Sequence, residues 1–215
     1  MSFLTDLAAF APLITMLTVV ATAVMAASAA VQGVRQDFDP FGTTVLAIVT
    51  AVGGGSLRDL LIGSFPVFWL QDMTYLATAI PIALLTYLLG QGLKKGNGRR
   101  LRLLLYLDAI GLALFTLVGL QTALANDLSF TSAIVLGCIT GVAGGMFRDL
   151  LCGLQPSILK QDLYATISLL GGVLYLLANQ WVEQETSLIL SFIFMTLLRF
   201  FVVYRSGLRQ NENES

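Results

Sequence analysis

The chain has 215 residues, 56% of them hydrophobic and only 12% charged, with a formal net charge of −1 and a mean hydropathy of +0.82. Soluble domains carry about 25% charged residues, so the composition points to lipid around most of this protein, and the near-zero charge gives no case for a nucleic-acid partner. There is no histidine, which removes the usual general base, metal ligand and pH switch. The two cysteines, Cys138 and Cys152, lie in one apolar run and fit neither a disulfide framework nor a zinc site.

A membrane-crossing helix needs ~20 mostly apolar residues. Seven segments meet that need in chain order: 10–31, 41–62, 73–93, 101–124, 130–152, 163–181 and 187–204. The first is read as a retained helix, because Asp6 and no Lys or Arg precedes it, which is wrong for a signal peptide. The polar tail, 205–215, is expected to be mobile.

The connections sort by charge. One side of the membrane receives Arg35, Lys94, Lys95, Arg99, Arg100, Arg102, Lys160, Arg205 and Arg209. The other receives Asp6, Asp72, Asp127, Glu183 and Glu185, with no loop Lys or Arg. The positive-inside rule puts the basic side in the cytoplasm, hence the N-terminus outside and the C-terminus inside. The Lys94–Arg102 cluster is read first as this topology determinant, with contact to anionic lipid as the alternative.

One motif occurs twice. Gly53-Gly54-Gly55-Ser56-Leu57-Arg58-Asp59 returns ninety residues later as Ala143-Gly144-Gly145-Met146-Phe147-Arg148-Asp149. The same offset carries Thr50 onto Thr140, Pro66 onto Pro156, Gln71 onto Gln161 and Asp72 onto Asp162. A fixed offset marks internal duplication. Because the second span matches the fifth, three spans on, the copies run in opposite directions across the membrane. The expected architecture is all-α: seven transmembrane helices as an inverted three-plus-three repeat plus a seventh helix. Residues 1–93 form repeat one, 94–181 repeat two, 182–204 the seventh helix and 205–215 the tail. By helical rise both glycine clusters lie roughly 18–20 Å into their spans, near the middle of the bilayer, where transporters of this architecture place their site.

Each glycine costs about 1 kcal/mol against alanine in a helix, and consecutive ones invite a kink or an unwound turn in the second and fifth spans. The alternative is close helix packing through small residues. Arg58 and Asp59, and likewise Arg148 and Asp149, point about 100° apart on a helix. Each is therefore expected to need another partner: Asp72 for Arg58 and Asp162 for Arg148, with a helix N-cap as the other reading of Asp72 and Asp162. These charges either staple each connection between spans or stand at a pathway mouth. Asp108 is read as lying at the cytoplasmic interface beside the basic loop, with a pathway-lining role as the alternative. Arg199 is read as snorkelling from the end of the last span, and Trp69 and Trp181 as interfacial anchors.

The duplicated glycine–Arg-Asp motif, within an inverted repeat followed by a seventh span, resembles the trimeric intracellular cation channels, in particular their prokaryotic members. The same sequence family includes bacterial proteins described as glycine transporters. The resemblance covers nearly the whole chain. It implies a homotrimer in the prokaryotic inner membrane with a potassium-permeable pore in each subunit, lined by the two kinked helices. Carried over, the kinks are Gly53, Gly54 and Gly55, and Gly144 and Gly145; Ala143 departs from the pattern.

The leading functional expectation is a passive channel for monovalent cations, potassium or sodium being the permeant species and no cofactor being needed. Glycine carbonyls, Ser56 and Thr50 would replace water lost by the ion. The alternative is a secondary transporter of a small neutral amino acid such as glycine, whose carboxylate would meet bared N–H groups. An enzyme is not expected, since Ser56 has no histidine to activate it.

Overall fold

The computed structural model describes the backbone of residues 2–91, 99–160 and 163–213, with side chains over 12–91, 100–159 and 163–205. Nine helices and no strand occur among the described residues: α1 (Ser2–Arg35), α2 (Pro40–Ile62), α3 (Phe68–Gln71), α4 (Thr74–Gln91), α5 (Arg99–Ala125), α6 (Phe130–Leu151), α7 (Ser157–Lys160), α8 (Tyr164–Ala178) and α9 (Gln184–Asn213). Six are long and apolar enough to cross a membrane, namely α1, α2, α4, α5, α6 and α9. The sixth expected span, 163–181, is the 15-residue α8, which reaches only roughly 22 Å by helical rise. The tail expected to be mobile continues α9 as far as Asn213.

The duplication reaches into the backbone. Asp37 and Asp127, ninety residues apart, both take φ 56° at the turns that follow α1 and α5. Asp39 caps α2 by accepting from the Gly42 amide, and Ser129 caps α6 by accepting from the Ser132 amide. Gly63 and Gly153 both carry positive φ just past α2 and α6, the left-handed conformation that commonly ends a helix. The short helices α3 and α7 then occupy matching places before α4 and α8.

α5 is the most buried span and packs on α1, α6, α8 and α9, while α2 packs on α1, α4 and α6. Alanine dominates the contact of α1 with α2 and α4: Ala26, Ala29, Ala30, Ala47, Ala51, Ala79 and Ala83 are fully buried. Small side chains let helix backbones approach closely, which is how helices associate where lipid removes the hydrophobic drive. The large apolar side chains of α4, such as Leu84, Leu85, Leu88 and Leu89, face outward.

Candidate functional site

The two glycine helices cross at their middles. A Cβ on Gly54 would overlap the Thr140 carbonyl oxygen, and one on Gly144 would stand 2.5 Å from the Thr50 carbonyl oxygen. Thr50 thus faces Gly144 while Gly54 faces Thr140, so rising numbers on α2 meet falling numbers on α6. The helices are antiparallel, and exchanging the repeats maps one contact onto the other. Thr50 and Thr140 turn their hydroxyls back onto the Leu46 and Leu136 carbonyls, both at 2.7 Å, so neither points into the crossing.

No unwound turn accompanies the glycines: α2 and α6 are helical throughout. The glycines act here as contact surface. Gly53 would strike Phe147 at 2.6 Å if given a Cβ, Gly55 would strike the Phe68 ring, and Gly145 stands 3.1 Å from the Asp108 carboxylate by the same measure. Backbone against backbone leaves no room for an ion at the crossing itself.

Charged clusters lie at the two ends of this crossing. At one end Arg58 and Asp59 are both buried and pair directly, Nη2 to Oδ1 at 2.7 Å and Nε to Oδ1 at 2.8 Å. Neighbours on a helix can bond because the long arginine side chain folds back across the angle between them. Asp72 is therefore not the partner of Arg58; it accepts from the Thr74 amide at 2.9 Å and caps α4. The Thr74 hydroxyl and amide hold its carboxyl below the ordinary value. Asp59 also accepts from the Phe68 amide at 2.8 Å, tying the ion pair to the start of α3, and the Phe68 ring lies 5.3 Å from the Arg58 guanidinium. Ser56 gives its hydroxyl to the Val52 carbonyl at 2.8 Å and accepts from the Trp69 indole at 2.9 Å.

The other end is richer. Arg148 pairs with Asp149 at 2.9 Å and with Asp108 at 2.7 Å, and donates to the Ser28 hydroxyl at 2.7 Å. Tyr164 donates to the second oxygen of Asp108 at 2.6 Å. Asp108 is thus buried inside the second cluster, where it is a second carboxylate on Arg148 beside Asp149. Asp149 accepts from the Ser157 amide and hydroxyl, both at 2.9 Å, and holds α7 as Asp59 holds α3. The expected partner of Arg148, Asp162, lies outside the described residues. Arg199 is fully buried, with its guanidinium 4.5 Å over the Tyr164 ring, so it is drawn into this cluster and does not snorkel.

The position in repeat one that answers to Asp108 is Thr18, whose hydroxyl returns to the Ile14 carbonyl at 2.7 Å. Among the described residues, Arg58 is balanced by one carboxylate and Arg148 by two. Ser28, Tyr164 and Phe68 belong to these clusters and carry no sequence signal, being ordinary residues on other helices. Asp108 stands out in the sequence as a charge in an apolar run, but nothing there ties it to Arg148.

Fold and clusters together define an all-helical, multi-pass membrane protein built from two antiparallel copies, with ion pairs buried at both ends of the central crossing. The family described as "Glycine transporter" matches residues 15–91 and 105–180. A UPF0126 membrane protein of Vibrio cholerae is 40% identical over 82% of this chain and 73% of its own length. The UPF0126 inner membrane protein YadS of Escherichia coli is 38% identical over 85% and 88%. Among solved structures, the trimeric intracellular cation (TRIC) channel orthologue from Rhodobacter sphaeroides shares 32% identity over 90% of this chain and 98% of its own, with a TM-score of 0.84. A prokaryotic TRIC channel shares 26% identity over 91% and 98%, with a TM-score of 0.85. The chain belongs to the family described as "Glycine transporter", and it has the TRIC fold. These are membrane channel and transporter proteins, not enzymes.

Proposed function

We propose that this protein is a passive channel for monovalent cations, potassium and sodium among them, with one pathway in each subunit of a homotrimer. The observation that carries the reading is the likeness of nearly the whole chain to solved cation channels. The buried ion pairs fit it: Arg58 and Arg148 would repel cations, and Asp59, Asp149 and Asp108 cancel that charge. Selectivity is modest, since no potassium-filter sequence of the Thr-Val-Gly-Tyr-Gly type is present.

In this reading the short α8 is the sixth of seven spans. Bending of α2 and α6 at Gly53–Gly55 and at Gly144–Gly145 opens the pathway. Because the two helices touch at those glycines, the ion passes beside the crossing and not through it. The protein lies in the inner membrane, with its N-terminus outside and its C-terminus in the cytoplasm.

Conductance and tracer flux on one reconstituted preparation test this. Currents far above carrier turnover are expected, and Gly54→Leu and Gly144→Leu should abolish them. Saturable, ion-coupled uptake of labelled glycine without current would overturn the channel reading.

A further inference from the structure

The two ends of the crossing follow one plan but are filled differently. In repeat two every nitrogen of the Arg148 guanidinium is taken: Nε and Nη2 by Asp149, and Nη1 by Asp108 and Ser28. In repeat one Asp59 takes Nε and Nη2 of Arg58 in the same way. Among the described residues, no hydrogen bond or ion pair reaches Arg58 Nη1, although the side chain is only 5% exposed.

The offset between the repeats shows what is missing. Thr18 stands for Asp108, and its hydroxyl turns back to the Ile14 carbonyl. Val118 stands for Ser28 and is apolar; Thr74 stands for Tyr164 and is exposed. The second carboxylate and the two hydroxyls around it therefore have no counterpart at Arg58. The paired glycines locate the same gap. A Cβ on Gly145 would lie 3.1 Å from an Asp108 carboxylate oxygen and 3.2 Å from the Tyr164 hydroxyl, whereas a Cβ on Gly55 would meet the Phe68 ring. That ring stands where repeat two keeps a carboxylate. It belongs to α3, a four-residue helix with no buried residue, and it faces the Arg58 guanidinium at 5.3 Å. An aromatic face attracts a guanidinium. A carboxylate adds a full countercharge and charge-assisted hydrogen bonds, which are roughly twice as strong as neutral ones.

We propose that Arg58 Nη1 holds the carboxylate of a small solute at this end of the crossing, in the place that Asp108 takes at the other, with Phe68 as its cover. The solute is small because the group it stands in for is one aspartate side chain, with the chemistry of acetate. It enters as the ring swings off Gly55. The site does not rest on the channel reading, since a bound carboxylate sets a second negative charge on Arg58 whatever the chain conducts.

Trp69 reports on the site, being next to Phe68 in α3 and bonded through its indole to Ser56 of α2. In the reconstituted full chain carrying Trp181→Phe it is the only tryptophan. Titration with sodium acetate or with glycine, at an ionic strength held with sodium chloride, is expected to change its emission saturably; methylammonium chloride should not. A response to acetate, to glycine or to both tells a simple acid from an amino acid as the source, and each upholds the site. Thr18→Asp supplies the missing carboxylate from within and should abolish the response. Phe68→Ala removes the cover and should lower the half-saturating concentration by roughly tenfold, the cost of lifting a ring off a guanidinium. Silence in both the Trp181→Phe protein and its Phe68→Ala form, or a response that survives Thr18→Asp unchanged, would overturn the proposal. Cation current through a protein that shows no response would remove the site and keep the channel reading. A response in a protein without current would keep the site and remove the channel.

Discussion

Arg148 is the residue on which one end of the crossing converges. Replacing it with glutamine leaves Asp108 and Asp149 buried without the guanidinium they share, and breaking a buried pair costs about 3–5 kcal/mol. Unfolding in detergent micelles should show that loss for Arg148→Gln and a smaller one for Asp108→Asn, which leaves Asp149 in place. A shift within the ~0.5 kcal/mol of an ordinary surface change would mean that the cluster is not what holds α5, α6 and α1 together. Asp72 behaves differently because it is exposed and lies between α3 and α4. Its folded value is depressed by Thr74, so the cap is intact above the ordinary carboxylate value and is lost only as pH falls through the lower, folded one. The Thr74 amide resonance should therefore move with a midpoint below about 3.9; a midpoint at or above that value would refute the cap. The charged residues of both clusters were visible in the sequence because ionisable side chains stand out in apolar runs. Their pairing was not, since Asp108 and Ser28 reach Arg148 from 40 and 120 residues away.

At the level of helices, two effects of a glycine compete. In a helix interior, alanine gains about 1 kcal/mol over glycine from propensity alone. At Gly54 that gain is opposed by a carbonyl oxygen of the facing helix, and backbone cannot swing aside as a side chain can. Overpacking of this kind costs typically 1–3 kcal/mol, so Gly54→Ala and Gly144→Ala should be net destabilising. Gly153→Ala has open space around it and pays only for positive φ. The comparison to make is thermal unfolding of the three variants; a stabilised Gly54→Ala would show that α2 and α6 are not in contact there. The duplicated glycines identified the paired helices correctly from sequence. Whether they break a helix or let two helices touch depends on what faces them, and here Thr50, Thr140 and the opposite backbone face them.

For the whole molecule, the offset of ninety residues, the antiparallel crossing and the placement of Lys and Arg make one prediction. A reporter active only in the cytoplasm, fused after Ser215, should be active, and one fused before Met1 should not; the reverse pattern would refute the orientation drawn from the basic loops. The two copies have also diverged in a way that matters. Between α1 and α4 repeat one packs through alanine, whereas between α5 and α8 repeat two sets the hydrogen-bonded pairs Thr116–Ser168 and Gln121–Tyr175 within a larger apolar cluster that α9 completes. Asymmetry of this kind is what allows two copies of one fold to do different things.

The sequence by itself determined that this is a membrane protein of helices, that it is duplicated and inverted, and which charges are anomalous. Each of these is a property of composition, period or local contrast, and so can be read along the chain. Only the tertiary structure decided that Arg58 takes Asp59, that Asp108 belongs to Arg148, and that the glycines are contact surfaces. Those outcomes depend on which groups are brought within about 3 Å of one another, and helix crossings, not neighbours in the chain, set that distance.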